Sequence, residues 1–393
     1  MRSLYPTILA ILLYFFAIPQ FNIGALDISG IPFKYYSSAI MGRGGAYVSS
    51  PEGYNSLFTN PAGFSSEKGT VTIASAGSWA YIEPHKALPL ASSISNSGLK
   101  GSLNILGEQI TSEGFGWGAA SGIGYAGRGL GLGFLGVLDS YFHGSDITSA
   151  SGDVVATFAF IGGLSFSLNF IGMKVSIGGD VRPMVRIHSP IESSGITNML
   201  TTLADGGDIL TALNSETSYH GVGLAIDMGI IADISPFSIG INVRDLGGTR
   251  FNYTRGTFGD DFGRVLQGRF PEGGAIDAQS QIPMEINAGA SFHPDLGVAG
   301  IFIDPAFYID IQDITAPLRE ERSILTMLHA GTEVKLLSFL KARAGINQGH
   351  LTLGAGFRFI ALDVNAAFFT RELGSRRGEH SSSALVIDAA LSF

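Results

Sequence analysis

The 393-residue chain has no cysteine, so neither a disulfide scaffold nor a thiolate metal site can be built from it. It is also poor in charge. Only 15% of residues are Asp, Glu, Lys or Arg, against a usual share of about 25%, and 45% are hydrophobic. That balance excludes a disordered chain, which needs the opposite. Positive charge is in deficit, with 24 Lys and Arg against 33 Asp and Glu, a net charge of −9. A nucleic-acid footprint would need basic clusters that are not there. Long apolar runs are missing too. Past the first twenty residues each apolar stretch is short and is broken by Gly, Asp, Asn or Ser, so no later segment offers a spanning helix.

What is present first is a leader pattern. Arg2 precedes an apolar run from Leu4 to Ile18, and Ile23-Gly24-Ala25 supplies a small residue before a cut. This reads as a signal peptide over 1–25, with a mature chain starting near Leu26.

A chain too apolar for a soluble domain, yet without spanning helices, fits a membrane barrel. Its strands alternate lipid-facing apolar residues with lumen-facing polar ones. The alternation is visible along the chain. Leu385, Ile387, Ala389, Leu391 and Phe393 oppose Asp388 and Ser392. Met173, Val175, Ile177 and Val181 oppose Lys174, Ser176, Asp180 and Arg182. Ile303, Phe307, Ile309 and Ile311 oppose Asp304, Asp310 and Gln312. Similar patterns run through 239–244, 285–293 and 353–359. Counting back from a descending last strand puts short turns near 235, 294, 337 and 361 on the periplasmic side. The segments 188–218, 246–283, 312–323 and 371–382 become external loops. About sixteen candidate strands follow residue 69. Segment 196–213 has apolar residues at helical spacing and is expected to form two short amphipathic helices. They would pack on the barrel rim or wall an apolar ligand site, with Leu200, Leu203 and Leu210 as candidate contacts. Segment 246–283, with Phe251, Tyr253, Phe258, Phe262 and Phe270, is expected to cap the mouth.

The stretch before the barrel is of a different kind. Residues 37–64 hold Gly44-Gly45, Pro51 and Pro61 among small side chains, which suits a compact segment inside a barrel lumen. Arg43-Gly44-Gly45-Ala46 followed by Asn60-Pro61-Ala62-Gly63 resembles the N-terminal hatch of the FadL-type outer-membrane fatty-acid transporters. Related PorV/PorQ-like and spirochaetal proteins share the pattern. The resemblance implies an all-β transmembrane barrel of about 14 strands, within 12–16, in the outer membrane of a diderm bacterium. It divides the chain into a hatch over 26–69 and a barrel over 70–393. Its partners would be outer-membrane lipid and the barrel-assembly machinery, with Phe393 as the assembly signal. It also implies uptake of a hydrophobic ligand such as a long-chain fatty acid. Leu57, Phe58 and Phe64 would contact the tail. Arg43, Lys174, Arg182, Arg244 or Arg358 would receive the carboxylate, unless each is simply paired to a lumen acid such as Asp180, Asp227, Asp304 or Asp388. The alternatives are a PorV-like barrel that docks secreted proteins, or a surface adhesin or structural porin.

No catalytic residue, metal site or cofactor emerges from the sequence. Gly131-x-Gly133-x-x-Gly136 sits in strand pattern with no helix after it, so it fails as a dinucleotide fingerprint. Asp260-Asp261 and Asp304, Asp310 and Asp313 lack calcium-loop spacing. No Gly-x-Ser-x-Gly elbow is present.

Overall fold

The computed structural model describes residues 35–146 and 148–393; the leader and the start of the expected hatch lie outside them. Sixteen strand segments follow one another: β1 Thr70–Tyr81, β2 Gly116–Gly127, β3 Leu130–His143, β4 Ser151–Phe170, β5 Met173–Ile191, β6 Thr217–Ile234, β7 Phe237–Arg244 and β8 Thr249–Thr257. Then come β9 Gly274–Ile282, β10 Glu285–Phe292, β11 Ile303–Ile311, β12 Leu328–Leu336, β13 Leu340–Asn347, β14 His350–Phe359, β15 Leu362–Glu372 and β16 Ser381–Ser392.

All pairings are antiparallel, and the ring closes where β1 meets β16. β6 pairs with β7 through Met228–Ile234 and with β8 through Thr217–Val222. β7 and β8 therefore run the same way and are two halves of one barrel strand, interrupted at Asp245–Gly248. β9 and β10 are likewise two halves, paired with β8 and β7 respectively. Sixteen segments thus make a closed ring of 14 strands. The break is built from backbone that turns: Asp245, Gly247 and Gly248 have φ of 51°, 75° and 81°.

The outer face is the apolar one. Ile387, Phe307, Ile309, Ile239, Leu353 and Phe359 all point outward, and Ile387 is 52% exposed. Their polar neighbours point in: Asp388, Asp310, Asn242 and Arg182 are enclosed by the ring. With no water in the bilayer core, the closed ladder satisfies the strand backbones while the side chains meet lipid. The chain is a transmembrane barrel of the outer-membrane type, and no helix among the described residues is long and apolar enough to cross a membrane.

Short turns gather at one end, at Arg128–Gly129, Ile171–Gly172, Ser235–Pro236, Leu337–Phe339 and Ile360–Ala361; the short turn expected near 294 is instead a longer connection over 293–302 that contains a 3-10 turn. Most of the long connections gather at the other, which also carries the tight turn Gln348–Gly349; bacterial barrels arrange their long loops externally, which makes that end external. Two loop boundaries change. The loop expected over 188–218 contracts to 192–216, because β5 and β6 extend into it. The loop expected over 246–283 is mostly a hairpin of β8 and β9, with a helix at its tip. One external element was not expected at all, a helix over Pro84–Ser112 that connects β1 to β2.

With α1 at Ser38–Gly42 and α2 at Pro84–Ser112, the remaining helices are α3 Ser193–Ala204, α4 Ile209–Leu213 and α5 Phe258–Leu266. The expected pair in 196–213 is present as α3 and α4. Their apolar faces pack on the rim and on each other. Ile196, Met199 and Leu213 are buried with Phe142, Val154 and Ile187 of the strands, Ile110 of α2 and Phe258 of α5. Leu200 and Leu203 are partly buried against this cluster, whereas Leu210 is exposed.

The register makes a direct prediction. Ile387→Arg places a charge in lipid at a cost of about 2–4 kcal/mol at the midplane, whereas Asp388→Asn keeps a polar group in the lumen. Ile387→Arg should lose most of the heat-modifiable folded form on an unboiled gel and Asp388→Asn little of it. Equal losses would refute this register.

Candidate functional site

Residues 35–65 lie inside the ring, and two kinds of contact hold them there. The first is polar. A coil of short turns leaves backbone groups unpaired, and in an enclosed lumen each needs a partner. Lumen-facing side chains supply them. The Asp310 carboxylate accepts from Tyr47 N at 2.6 Å and Val48 N at 3.0 Å. Asp388 accepts from Ser38 N at 2.7 Å. Thr352 accepts from Gly44 N and donates to Gly42 O, both at 3.1 Å. Asn242 donates to Thr59 O and Gln312 to Gly45 O, both at 2.8 Å.

The second contact is steric. Where the segment touches the wall, the wall residue is repeatedly glycine. A Cβ on Gly229 would strike Asn60 Oδ1, and one on Gly178 would strike Pro61 O. Gly331 and Gly345 lie against the backbone of Arg43 and Gly44, Gly354 against Gly42, and Gly240 against Val48. Leu57 sits over Gly124 and Gly133, and Phe64 over Gly131 and Gly163. The Gly131-x-Gly133-x-x-Gly136 string therefore has a packing role at its first two glycines.

The two short motifs work locally in the same spirit. Gly44 and Gly45 take φ of 80° and 81°, open to glycine at little cost, in a turn pressed against β12 and β13. Arg43 donates to Ala46 O at 2.8 Å and Ser50 O at 3.1 Å and lies 4.3 Å over the Tyr308 ring, so it staples the segment to itself. Asn60 is wholly buried. Its amide donates to Val48 O at 2.8 Å, and its Oδ1 accepts from Ala62 N at 3.1 Å, capping the turn that Pro61 begins.

On the external side of this segment lies a cavity of about 510 Å³. Its floor is Tyr35, Tyr36, Ile40, Met41, Tyr47 and Phe58; its walls carry Arg244, Glu285, Arg371 and Glu372. A second cavity of about 220 Å³ lies below, beside Glu333, Lys341, Arg343, Arg358 and Asp388. Tyr35, Ile40, Tyr47 and Thr59 line both, so one layer of the segment separates them.

Much of the rest of the upper lumen is lined by apolar side chains. Trp79, Leu135, Val137, Ile161, Met184, Phe251, Phe369 and Val386 are buried on the inward face, in one cluster with Tyr36, Leu57, Phe58 and Phe64. A water-filled porin lumen is polar; this one is mostly apolar over the arc from β15 through β1 to β5 and on to β8, with Asp139, Arg182, Arg186 and Arg371 set singly among the apolar side chains.

The structure separates the basic residues expected to meet a ligand. Arg182 is buried between Asp227 at 2.7 Å and Asp245 at 3.4 Å. Arg358 pairs with Asp363 at 3.5 Å near the periplasmic end, and Lys174 reaches Glu67 at 3.9 Å. Arg244 borders the upper cavity. Leu57 and Phe64 fill wall slots, Phe58 reaches the cavity floor, and α3 with its Leu200 and Leu203 belongs to the external cap. Arg371, unnoticed in the sequence, also borders the cavity; it donates to the hydroxyls of Tyr36 and Tyr81 and lies 3.8 Å over the Tyr81 ring. The acidic residues have structural partners: Asp304 pairs with His293 and Lys335, and Asp313 with Arg319. Asp261 accepts from Ser218 at 2.5 Å and contacts His220 at 2.9 Å, tying α5 to β6. Among the described residues no group of three or more such side chains could hold a metal ion.

No protein-family model and no curated protein sequence matches the chain. Solved structures do. A deltaS2 variant of the TodX monoaromatic hydrocarbon channel superposes with a TM-score of 0.50 at 14% identity, over 94% of this chain and 100% of that one. The CymD monoaromatic hydrocarbon channel gives 0.49 at 13% identity, over 90% and 96%. A Pseudomonas aeruginosa FadL homologue gives 0.43 at 11% identity, over 91% and 97%. The fold is thus that of a 14-strand outer-membrane barrel shared with the TodX channel, which is the fold that the sequence resemblance implied.

The glycine slots can be tested. Gly229→Val should push Asn60 off the wall while leaving the ladder intact. The variant should keep its heat-modifiable barrel, and its segment 35–65 should become cleavable by protease several-fold faster. Unchanged cleavage would show that the slot does not hold the segment.

Proposed function

We propose that the protein takes up a hydrophobic small molecule across the outer membrane, with an amphiphile such as a long-chain fatty acid as its substrate. The observation that carries this reading is the mostly apolar upper lumen beside a cavity whose floor is aromatic and whose walls are charged. An apolar permeant gains by leaving water for such a surface, whereas a hydrophilic solute would lose its hydration there. The cavity volume is within the range of small-molecule sites, about 300–1,000 Å³. The TodX channel is described as a monoaromatic hydrocarbon channel, which supports the hydrophobic class. The charged walls favour a ligand with a polar head over a plain hydrocarbon.

In this reading residues 35–65 are the hatch. Ligand enters from the external side, gathers over Tyr36, Met41 and Phe58, and passes when the layer of Tyr35, Ile40, Tyr47 and Thr59 shifts. Arg244 and Arg371 are the basic residues placed to meet a head group at the cavity. The polar contacts of the hatch are many and its apolar anchors few on the β10–β16 side, so that side is the one that yields.

Cells lacking their own transporter and expressing this protein should accumulate labelled palmitate faster than empty cells. Replacing Asn60-Pro61-Ala62 with Ala-Ala-Ser should cut that uptake several-fold while the barrel stays heat-modifiable. No uptake by the unaltered protein would refute the reading, and loss of the barrel in the variant would make the segment a folding element rather than a hatch.

A further inference from the structure

Arg186 stands apart from every other basic residue of the lumen. It lies on the inward face of β5, 1% exposed, and none of Nε, Nη1 and Nη2 has a hydrogen-bond acceptor. Its guanidinium lies 4.6 Å over the Phe251 ring. Met184, Tyr253, Ala278 and Ile282 belong to the same apolar core as that ring. Four residues down the same face, Arg182 has two carboxylates. Of the groups that act on Arg186, the Tyr253 hydroxyl is neutral and shared with Ser280 at 3.0 Å, and Asp245 is already committed to Arg182 and, at 2.6 Å, to the Thr249 hydroxyl. A guanidinium cannot shed its proton, so burial without an acceptor leaves it both charged and unsatisfied. The ring beneath it offsets only part of that.

The surroundings also allow access. Arg186 is eight residues further up β5 than Gly178, the wall residue under Pro61, so it lies on the external side of the hatch, on the order of 25 Å along the strand. Phe251 and Tyr253 ride on β8. The β8–β9 hairpin is joined to the ring through β8, and no described strand pairs with the other edge of β9. The wall over Arg186 can therefore give without opening the closed ring below.

We infer that Arg186 is a binding site for the carboxylate of an amphiphilic ligand whose apolar body lies against Met184, Phe251 and Ile282. This rests on the uptake reading and adds to it a selectivity for acids over neutral chains. The planar guanidinium presents paired N–H groups that match a carboxylate, and in a dry setting that pair is strong. A neutral alcohol of the same length would bury the same tail and leave the guanidinium no better off.

The test compares palmitic acid with hexadecanol on the full-length protein in lipid nanodiscs. The unaltered protein should bind the acid at least about tenfold more tightly, the scale of one charged hydrogen bond. Arg186→Met, which keeps the volume and removes the charge, should abolish that preference and leave hexadecanol binding unchanged; Arg186→Lys should restore part of it. Equal binding of acid and alcohol by the unaltered protein would overturn the carboxylate site and leave uptake standing, and needs no variant. An acid preference retained in a heat-modifiable Arg186→Met barrel would overturn the role of this residue. Binding of neither ligand would overturn the site together with the uptake reading.

Discussion

The ladder between β1 and β16 is the contact on which the remaining structure depends. It runs from Tyr81 opposite Ala384 down to Thr72 opposite Ser392, and the last residue extends it, with Phe393 and Val71 exchanging both backbone bonds at 2.9 and 3.0 Å. Until it forms, two strand edges face lipid with no water to satisfy them. Once it forms, the ring of 14 strands is closed and the interior becomes a bounded space. The inner segment has meaning only within that space. It enters just before β1 and is pinned by Asp388 of β16, so the closing seam and the segment are joined at the same place.

Closure also explains the glycine content. The chain has 54 glycines. A ring of 14 strands has a fixed bore, and a coil that fills it must approach the wall at backbone distance on several sides at once. Wall glycines at 178, 229, 240, 331, 345 and 354 give up their side chains to admit backbone, and those at 124, 131, 133 and 163 admit Leu57 and Phe64. The barrel and the segment are therefore complementary surfaces. A Cβ at such a site costs more than its own volume, because neither surface can retreat.

Much of this was legible because the environment imposes a period on the sequence. A lipid-facing residue has one kind of neighbour, so the outer row of β16 reads as Leu385, Ile387 and Leu391 without interruption. The inner segment was legible through Arg43-Gly44-Gly45 and Asn60-Pro61-Ala62, where local chemistry dictates both shape and contact. The helix α2 was not legible: it holds Pro89, Gly98, Gly101 and many serines, a composition that disfavours helix and that only the fold around it overrides. The halves of the broken strands looked like a loop because Asp245–Gly248 carries turn chemistry. The mostly apolar arc of the lumen was hidden for a different reason. Where both faces are apolar, as around Leu135 and Val137, the period vanishes. Arg186 and Arg371 are single basic residues in strand pattern, and whether such a residue is paired depends on what the ring brings opposite it.

The lumen is thus divided by its chemistry. Glycine slots occur on both sides, but on the arc from β15 through β5 to β8 the wall side chains are mostly apolar, and the inner segment is wedged there by Leu57 and Phe64. On the arc from β10 to β15 the wall offers Asp310, Glu333, Arg343, Asn347, Thr352 and Asn365, and there the segment is bound by hydrogen bonds beside the two cavities. The two arcs resist movement differently. Lifting the wedged side out of its slots exposes apolar surface and opens voids, a penalty that water cannot relieve. Lifting the hydrogen-bonded side exchanges protein partners for water ones, which is close to neutral bond by bond. On the proposed reading, in which this segment moves, the hydrogen-bonded edge is the one that yields, and the two cavities lie on either side of it.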